Sequence, residues 1–155
     1  MSDGRYIKHM AFAVNDAHAT LKHYQDFIGV GADAQVHEYA KSRNRVAIFN
    51  VGDVEYQLCQ SMDADGRFSA WIKARGYEGL HHVCYAVPDI DAALADAQTK
   101  GATLKECSAC KVTGSHPHPE GWVAFLQEDT GGIEIEMMQV YTPEQLEEYK
   151  AIRGI

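Results

Sequence analysis

The chain is expected to fold as an α+β protein built from two βαβββ modules that form a metal-lined cleft. Three observations carry that expectation. Strand-like runs alternate with segments of helical apolar spacing. The same order of elements occurs twice. Each copy returns a potential metal ligand at the same two places.

In the first copy, Ile7–Val14 (IKHMAFAV) is rich in β-formers and reads as a strand. Asn15-Asp16 is a helix cap, and Ala17, Leu21, Tyr24 and Ile28 recur at helical spacing until Gly29 and Gly31 stop the run. Strands are expected at Ala34–Tyr39, Arg45–Phe49 and Val54–Cys59, with a turn at Asn50–Asp53. Alternation along the last strand puts Glu55 and Gln57 on one face. A polar stretch and a short helix, Phe68–Arg75, form a linker, which divides the chain into 1–62, a linker 63–79, and 80–155.

The second copy opens with the strand Leu80–Val87 (LHHVCYAV) and a helix over Ile90–Lys100 after Pro88-Asp89. A strand at Thr103–Cys107, a loop containing His116-Pro-His118-Pro119, and strands at Trp122–Leu126 and Ile133–Met138 follow. Thr142-Pro143-Glu144 caps a last helix to Ile152, with Pro at its first position. That helix carries Leu146, Tyr149 and Ile152 on a side suited to the sheet or to a second subunit, and a homodimer is expected.

IKHMAFAVND aligns with LHHVCYAVPD, so His9 and His82 are equivalent. VEYQL aligns with IEIEM, so Gln57 and Glu136 are equivalent. A lone strand histidine is more often a hydrogen-bonded core or surface residue than a ligand. Repetition on matching inward faces favours the ligand reading. Two imidazoles, an amide oxygen and a carboxylate suit one divalent ion: Co, Ni, Mn, Zn or Fe.

The net charge is -8, from 14 basic and 22 acidic residues, which argues against nucleic-acid binding. No apolar run approaches the roughly 18 residues of a membrane span, and the N-terminal residues lack a signal-peptide pattern, so a cytoplasmic protein is expected. Cys59 and Cys84 lie in strands as small core residues. Cys107 and Cys110 form one CxxC, and zinc would recruit His116 and His118. Those histidines lack the H-x3–5-H spacing, so the preferred reading is a turn or strand carrying thiols.

The opening strand with His9, Gly52–Leu58, the RGYEGLHH run Arg75–His82, and the TGGIEIE ending Thr130–Glu136 resemble the vicinal oxygen chelate superfamily. Within it they are most similar to the methylmalonyl-CoA epimerases. The resemblance spans about Ile7 to Gln139. It implies a metal held by His9, Gln57, His82 and Glu136, and a substrate chelated through carbonyl or carboxylate oxygens, with an acyl-CoA as the class suggested by the relatives. It also implies a departure. The epimerases carry a second catalytic Glu before the third strand, where this chain has Lys41, and Glu38 lies three residues earlier.

The expected chemistry is an isomerase, epimerase or lyase reaction in which the proton α to a chelated carbonyl is removed. Glu136 is a ligand and a candidate base, Glu38 or Lys41 candidate replacements for the second base, and His116 or His118 a candidate proton shuttle. The plain alternative for the two loop histidines is a Pro-stiffened surface turn. Arg43, Arg45 and Lys41 are candidate anchors for a substrate anion, or simply a solvated hairpin end. Two other classes remain: a non-haem iron dioxygenase using His9, His82 and Glu136, and a small-molecule binding or resistance protein.

Overall fold

The computed structural model describes residues 3–155. It contains nine strands, β1 Tyr6–Ala13, β2 Val36–Tyr39, β3 Asn44–Val51, β4 Val54–Ser61, β5 Gly79–Ala86, β6 Leu104–Lys105, β7 His116–Pro117, β8 Gly121–Thr130 and β9 Ile133–Val140. Its α-helices are α1 Ala17–His23, α2 Arg67–Arg75, α3 Ile90–Thr99 and α4 Pro143–Arg153. The chain divides into two compact units, one of His9–Val83 and one of residues 3–8 with Cys84–Ile155.

In the first unit the strands lie in the order β2-β3-β4-β1. β1 runs parallel to β4, with His9 opposite Glu55 and Ala11 opposite Gln57. The β2–β3 and β3–β4 pairs are antiparallel. Strand alternation sends neighbouring residues to opposite faces, and each face has its own cover. Leu58, Ala47 and Phe49 pack on Ala17 and Leu21 of α1. Ala11, Ala13 and Cys59 pack on Phe68 and Ile72 of α2. His9 and Gln57 belong by alternation to this second face.

Asp16 caps α1 by accepting the N–H of Ala19 at 3.0 Å. The expected single helix to Ile28 is α-helical only to His23. Tyr24–Ile28 widens to a π-turn, closed by the Gly29 N–H donating to the Tyr24 carbonyl. Gly29 ends it at a φ of 76°, which glycine adopts without cost. Helix α2 starts at Gly66, which has no side chain to cap it. Ser61 at the end of β4 does so instead, its Oγ accepting from the N–H of Phe68 at 2.9 Å and of Ser69 at 3.2 Å.

In the second unit β8 pairs antiparallel with β9, β6 and β7. Val87, Ile90, Leu94, Ala124 and Leu126 form a core under α3, with Met137 against it. Its members are the repeat equivalents of the first core. Val14 and Val87 are 87 − 14 = 73 apart, as are Ala17 with Ile90 and Leu21 with Leu94. Leu58 and Met137 are 137 − 58 = 79 apart, the offset of Gln57 and Glu136.

On the other face of β8 and β9, Cys84, Val123, Phe125 and Met138 pack with Cys107 and Cys110. Here the loop after β6 stands where α2 stands in the first unit. The strand expected over Thr103–Cys107 is only Leu104–Lys105, and the loop expected after it contains the short strand β7. His116 of that strand is buried, so the surface-turn reading does not hold for it. No helix among the described residues is long and apolar enough to cross a membrane.

Candidate metal centre

Three of the four expected ligands lie in the first unit. His9 on β1 and His82 on β5 are 6 % and 5 % exposed. Their Nε2 atoms face each other at 3.4 Å. Metal–nitrogen bonds of about 2.0–2.1 Å put neighbouring nitrogens of one ion about 2.9–3.4 Å apart, so the pair fits a shared divalent cation.

Two neighbours orient these imidazoles. His81 Nδ1 lies 2.8 Å from His82 Nδ1. If His82 donates its Nδ1–H there, its Nε2 lone pair is left for a metal. His81 is itself wedged between Phe68 and Trp71, with ring centroids 4.9 and 5.0 Å away. The guanidinium of Arg75 covers Trp71 at 4.1 Å, which completes a stack from solvent to site. His9 Nδ1 lies 3.8 Å from Glu55 Oε2, an electrostatic contact longer than a hydrogen bond. The same Glu55 oxygen accepts from Gln57 Nε2 at 2.8 Å. That bond turns the amide so that its oxygen, the metal-type donor, is the end left over. Glu55 therefore ties Gln57 and His9 together.

Glu136 lies on β9 in the second unit, opposite Phe125 and only 4 % exposed. A carboxylate this buried needs a cation or donors around it. Glu134, on the same face by alternation, pairs with Lys105 at 3.1 Å.

The other expected functional residues are in different settings. Glu38 on β2 is exposed and accepts from Arg45 Nε at 2.8 Å. Lys41 sits in the exposed turn between β2 and β3. Arg43 makes a two-pronged pair with Asp63, at 3.0 and 2.8 Å, which raises the guanidinium and lowers the carboxyl from their ordinary pKa values. Of the expected anion anchors, Arg43 and Arg45 are thus already paired with carboxylates.

His116 lies in the second unit beside Cys107, Cys110 and His118. One ligand-type atom from each of these four residues lies within 4.8 Å of all the others. The sequence favours thiols in a plain turn or strand because the histidines lack H-x3–5-H spacing. In a strand, however, residues i and i+2 share a face, and His116 begins β7. Glu55 and His81 were not singled out as site residues. Their signals were present: a Glu two residues before Gln57 and the doubled histidine before Val83.

Comparison with known proteins places this arrangement in a family. Residues 8–117 match the model of the Glyoxalase/Bleomycin resistance protein/Dioxygenase superfamily. The mitochondrial methylmalonyl-CoA epimerase of Mus musculus is 29 % identical over 137 residues, covering 86 % of this chain and 72 % of the relative. The ethylmalonyl-CoA/methylmalonyl-CoA epimerase of Cereibacter sphaeroides is 27 % identical over 86 % of this chain and 97 % of the relative. The crystal structure of methylmalonyl-CoA epimerase from Mycobacterium tuberculosis shares the fold, with a TM-score of 0.69 over 90 % of each chain at 19 % identity. The repeated βα pattern, the paired histidines and the family match agree: this chain belongs to the glyoxalase, bleomycin resistance protein and dioxygenase superfamily.

Proposed function

We propose that this protein is a divalent-metal-dependent epimerase or isomerase that removes the proton α to the carbonyl of an acyl-CoA. The observation that carries the proposal is the buried His9–His82 pair, nitrogen to nitrogen at 3.4 Å and steadied from behind by Glu55 and His81. The relatives named as methylmalonyl- and ethylmalonyl-CoA epimerases supply the substrate class.

His9, Gln57, His82 and Glu136 are the proposed ligands. These residues would hold a divalent ion, which when bound would supply Lewis acidity toward the substrate carbonyl. Glu55 faces Nδ1 of His9 and keeps the Gln57 amide turned, while His81 lies against Nδ1 of His82. Glu136, a buried carboxylate, is also the proposed base for one face of the α-carbon.

Inversion needs a second acid or base on the opposite face. Lys41, at the position of the epimerases' second Glu, is the proposed donor. Glu38 is the alternative, and its use requires breaking the pair with Arg45.

The test is solvent exchange. The protein, loaded in turn with Co, Ni, Mn, Zn and Fe, is incubated with methylmalonyl-CoA in deuterium oxide, and α-deuteration and inversion are followed by NMR. Exchange that falls at least about 10²-fold in His9→Ala is the expected result. Lys41→Gln should slow inversion more than exchange. Absence of exchange with every metal overturns the proposal, and iron-dependent oxygen uptake would put a dioxygenase in its place.

A further inference from the structure

The second unit carries a group of metal-type side chains that the proposed reaction does not use. We propose that Cys107, Cys110, His116 and His118 form a structural zinc site that fastens the loop after β6 over the core. All four candidate ligand atoms lie within 4.8 Å of one another. His118 Nε2 is 3.2 Å from Cys110 Sγ and 3.7 Å from Cys107 Sγ. Zn–N bonds of about 2.0–2.1 Å and Zn–S bonds of about 2.3 Å set tetrahedral ligand atoms about 3.4–3.8 Å apart, so small side-chain shifts close the site.

An independent observation comes from His116. It is 6 % exposed, its Nδ1 is held by the Gly114 carbonyl at 2.8 Å, and its Nε2 is buried without a hydrogen-bond partner. A buried ring nitrogen left over in this way needs a partner, and fixing Nδ1 as the donor leaves the Nε2 lone pair for a metal.

The backbone is shaped to the same end. Cys107 N–H donates to the Val112 carbonyl, and Lys111 N–H donates back to the Cys107 carbonyl. Lys111 takes a φ of 59°, a left-handed conformation unusual for lysine, at the point where the turn brings Cys110 back toward Cys107. His116 and His118 arrive on one side of the β7–β8 hairpin, where His118 N–H donates to the Gly121 carbonyl.

The ligand set indicates the metal and the role. Two thiolates and two imidazoles in a closed tetrahedron are a structural zinc set, with no open position for substrate. Binding releases one proton from each thiol, and the two thiolates balance the charge of the ion. The site also answers a structural need. In the first unit, α2 covers the core face of Ala11, Ala13 and Cys59. The equivalent face in the second unit packs against Cys107 and Cys110 of the loop. A loop this irregular gains from a staple. His116 then serves as a ligand rather than a proton shuttle.

The test is cobalt titration of the full chain, stripped of metal and kept reduced. One equivalent should bring in a near-ultraviolet thiolate-to-cobalt charge-transfer band, and zinc should bleach it. The band should persist in His9→Ala, which separates this site from the proposed catalytic ion, and fall more than fivefold in Cys110→Ser and in His118→Gln. Zinc should also slow proteolysis within residues 108–120 at least tenfold relative to chelator-treated protein. No charge-transfer band from the reduced wild-type chain, a Cys107–Cys110 disulfide in freshly purified protein, or an undiminished band in Cys110→Ser overturns the proposal.

Discussion

Glu55 shows how much of the candidate site depends on one side chain that is not itself a proposed ligand. Its carboxylate holds the Gln57 amide at 2.8 Å and faces the His9 ring at 3.8 Å. Removing it frees the amide to flip and takes a negative charge from beside His9. Glu55→Ala should weaken metal binding about 10–100-fold, with the folded state retained, as read by metal-buffer titration and circular dichroism. Gln57→Ala should cost less, since it removes one donor and leaves both imidazoles oriented. Elsewhere in the same unit, burial, with the nearby Tyr56, raises the pKa of Tyr24 above its ordinary 10.0. A phenol that holds its proton more tightly when folded stabilises the fold fully below that ordinary value, and the contribution is lost as the pH rises from there through the folded value. Tyr24→Phe should therefore flatten the alkaline end of the stability curve above about pH 10, measured by urea unfolding across pH.

Among the elements, α2 is the most dependent on a distant residue. Its first N–H groups end on the Ser61 hydroxyl rather than on a cap of its own. Ser61→Ala should cost about 1–2 kcal/mol in chemical denaturation, since it removes a cap and leaves buried donors unpaired. Gly66→Ala should destabilise too. An added Cβ would sit 2.6 Å from Ser61 Cβ. The added cost of Gly66→Ala should be smaller in a Ser61→Gly background, where that carbon is gone, than in the wild-type chain. The elements also show what could be read in advance. Most strands and all four helices were legible from alternation, caps and stop glycines. The π-turn at Tyr24–Ile28 was not, because α and π turns share nearly the same apolar spacing until the hydrogen bonds diverge. The Cys–His cluster was named in the sequence but not preferred there, for a different reason. The H-x3–5-H spacing belongs to ligands on a helix, whereas a strand and its turn present His116 and His118. His9 and His82 were legible because the repeat marked them. The roles of His81 and Glu55 depend on contacts, and no periodicity encodes a contact.

Across the whole molecule the duplication reaches into the cores. Leu21 and Leu94 occupy equivalent places, each 5 % exposed beneath its own sheet. Leu21→Ala and Leu94→Ala should each cost about 2–5 kcal/mol, and a matched pair of values would mean that the two cores collapse about equally well around the lost side chain. Unfolding followed by two probes, Trp71 fluorescence for one unit and Trp122 fluorescence for the other, checks whether each substitution loosens its own unit first.

The division into units has a practical side. Residues 3–8 group with Cys84–Ile155 and not with the stretch that follows them in sequence, and Lys8 pairs with Glu120 at 2.6 Å. A single cut after Val83 therefore yields two mismatched pieces, one carrying a stray N-terminal arm and the other missing it. Anyone wishing to express the second unit alone would do better to open the chain at Cys84 and return the arm through a linker after Ile155, as a circular permutation does, than to truncate.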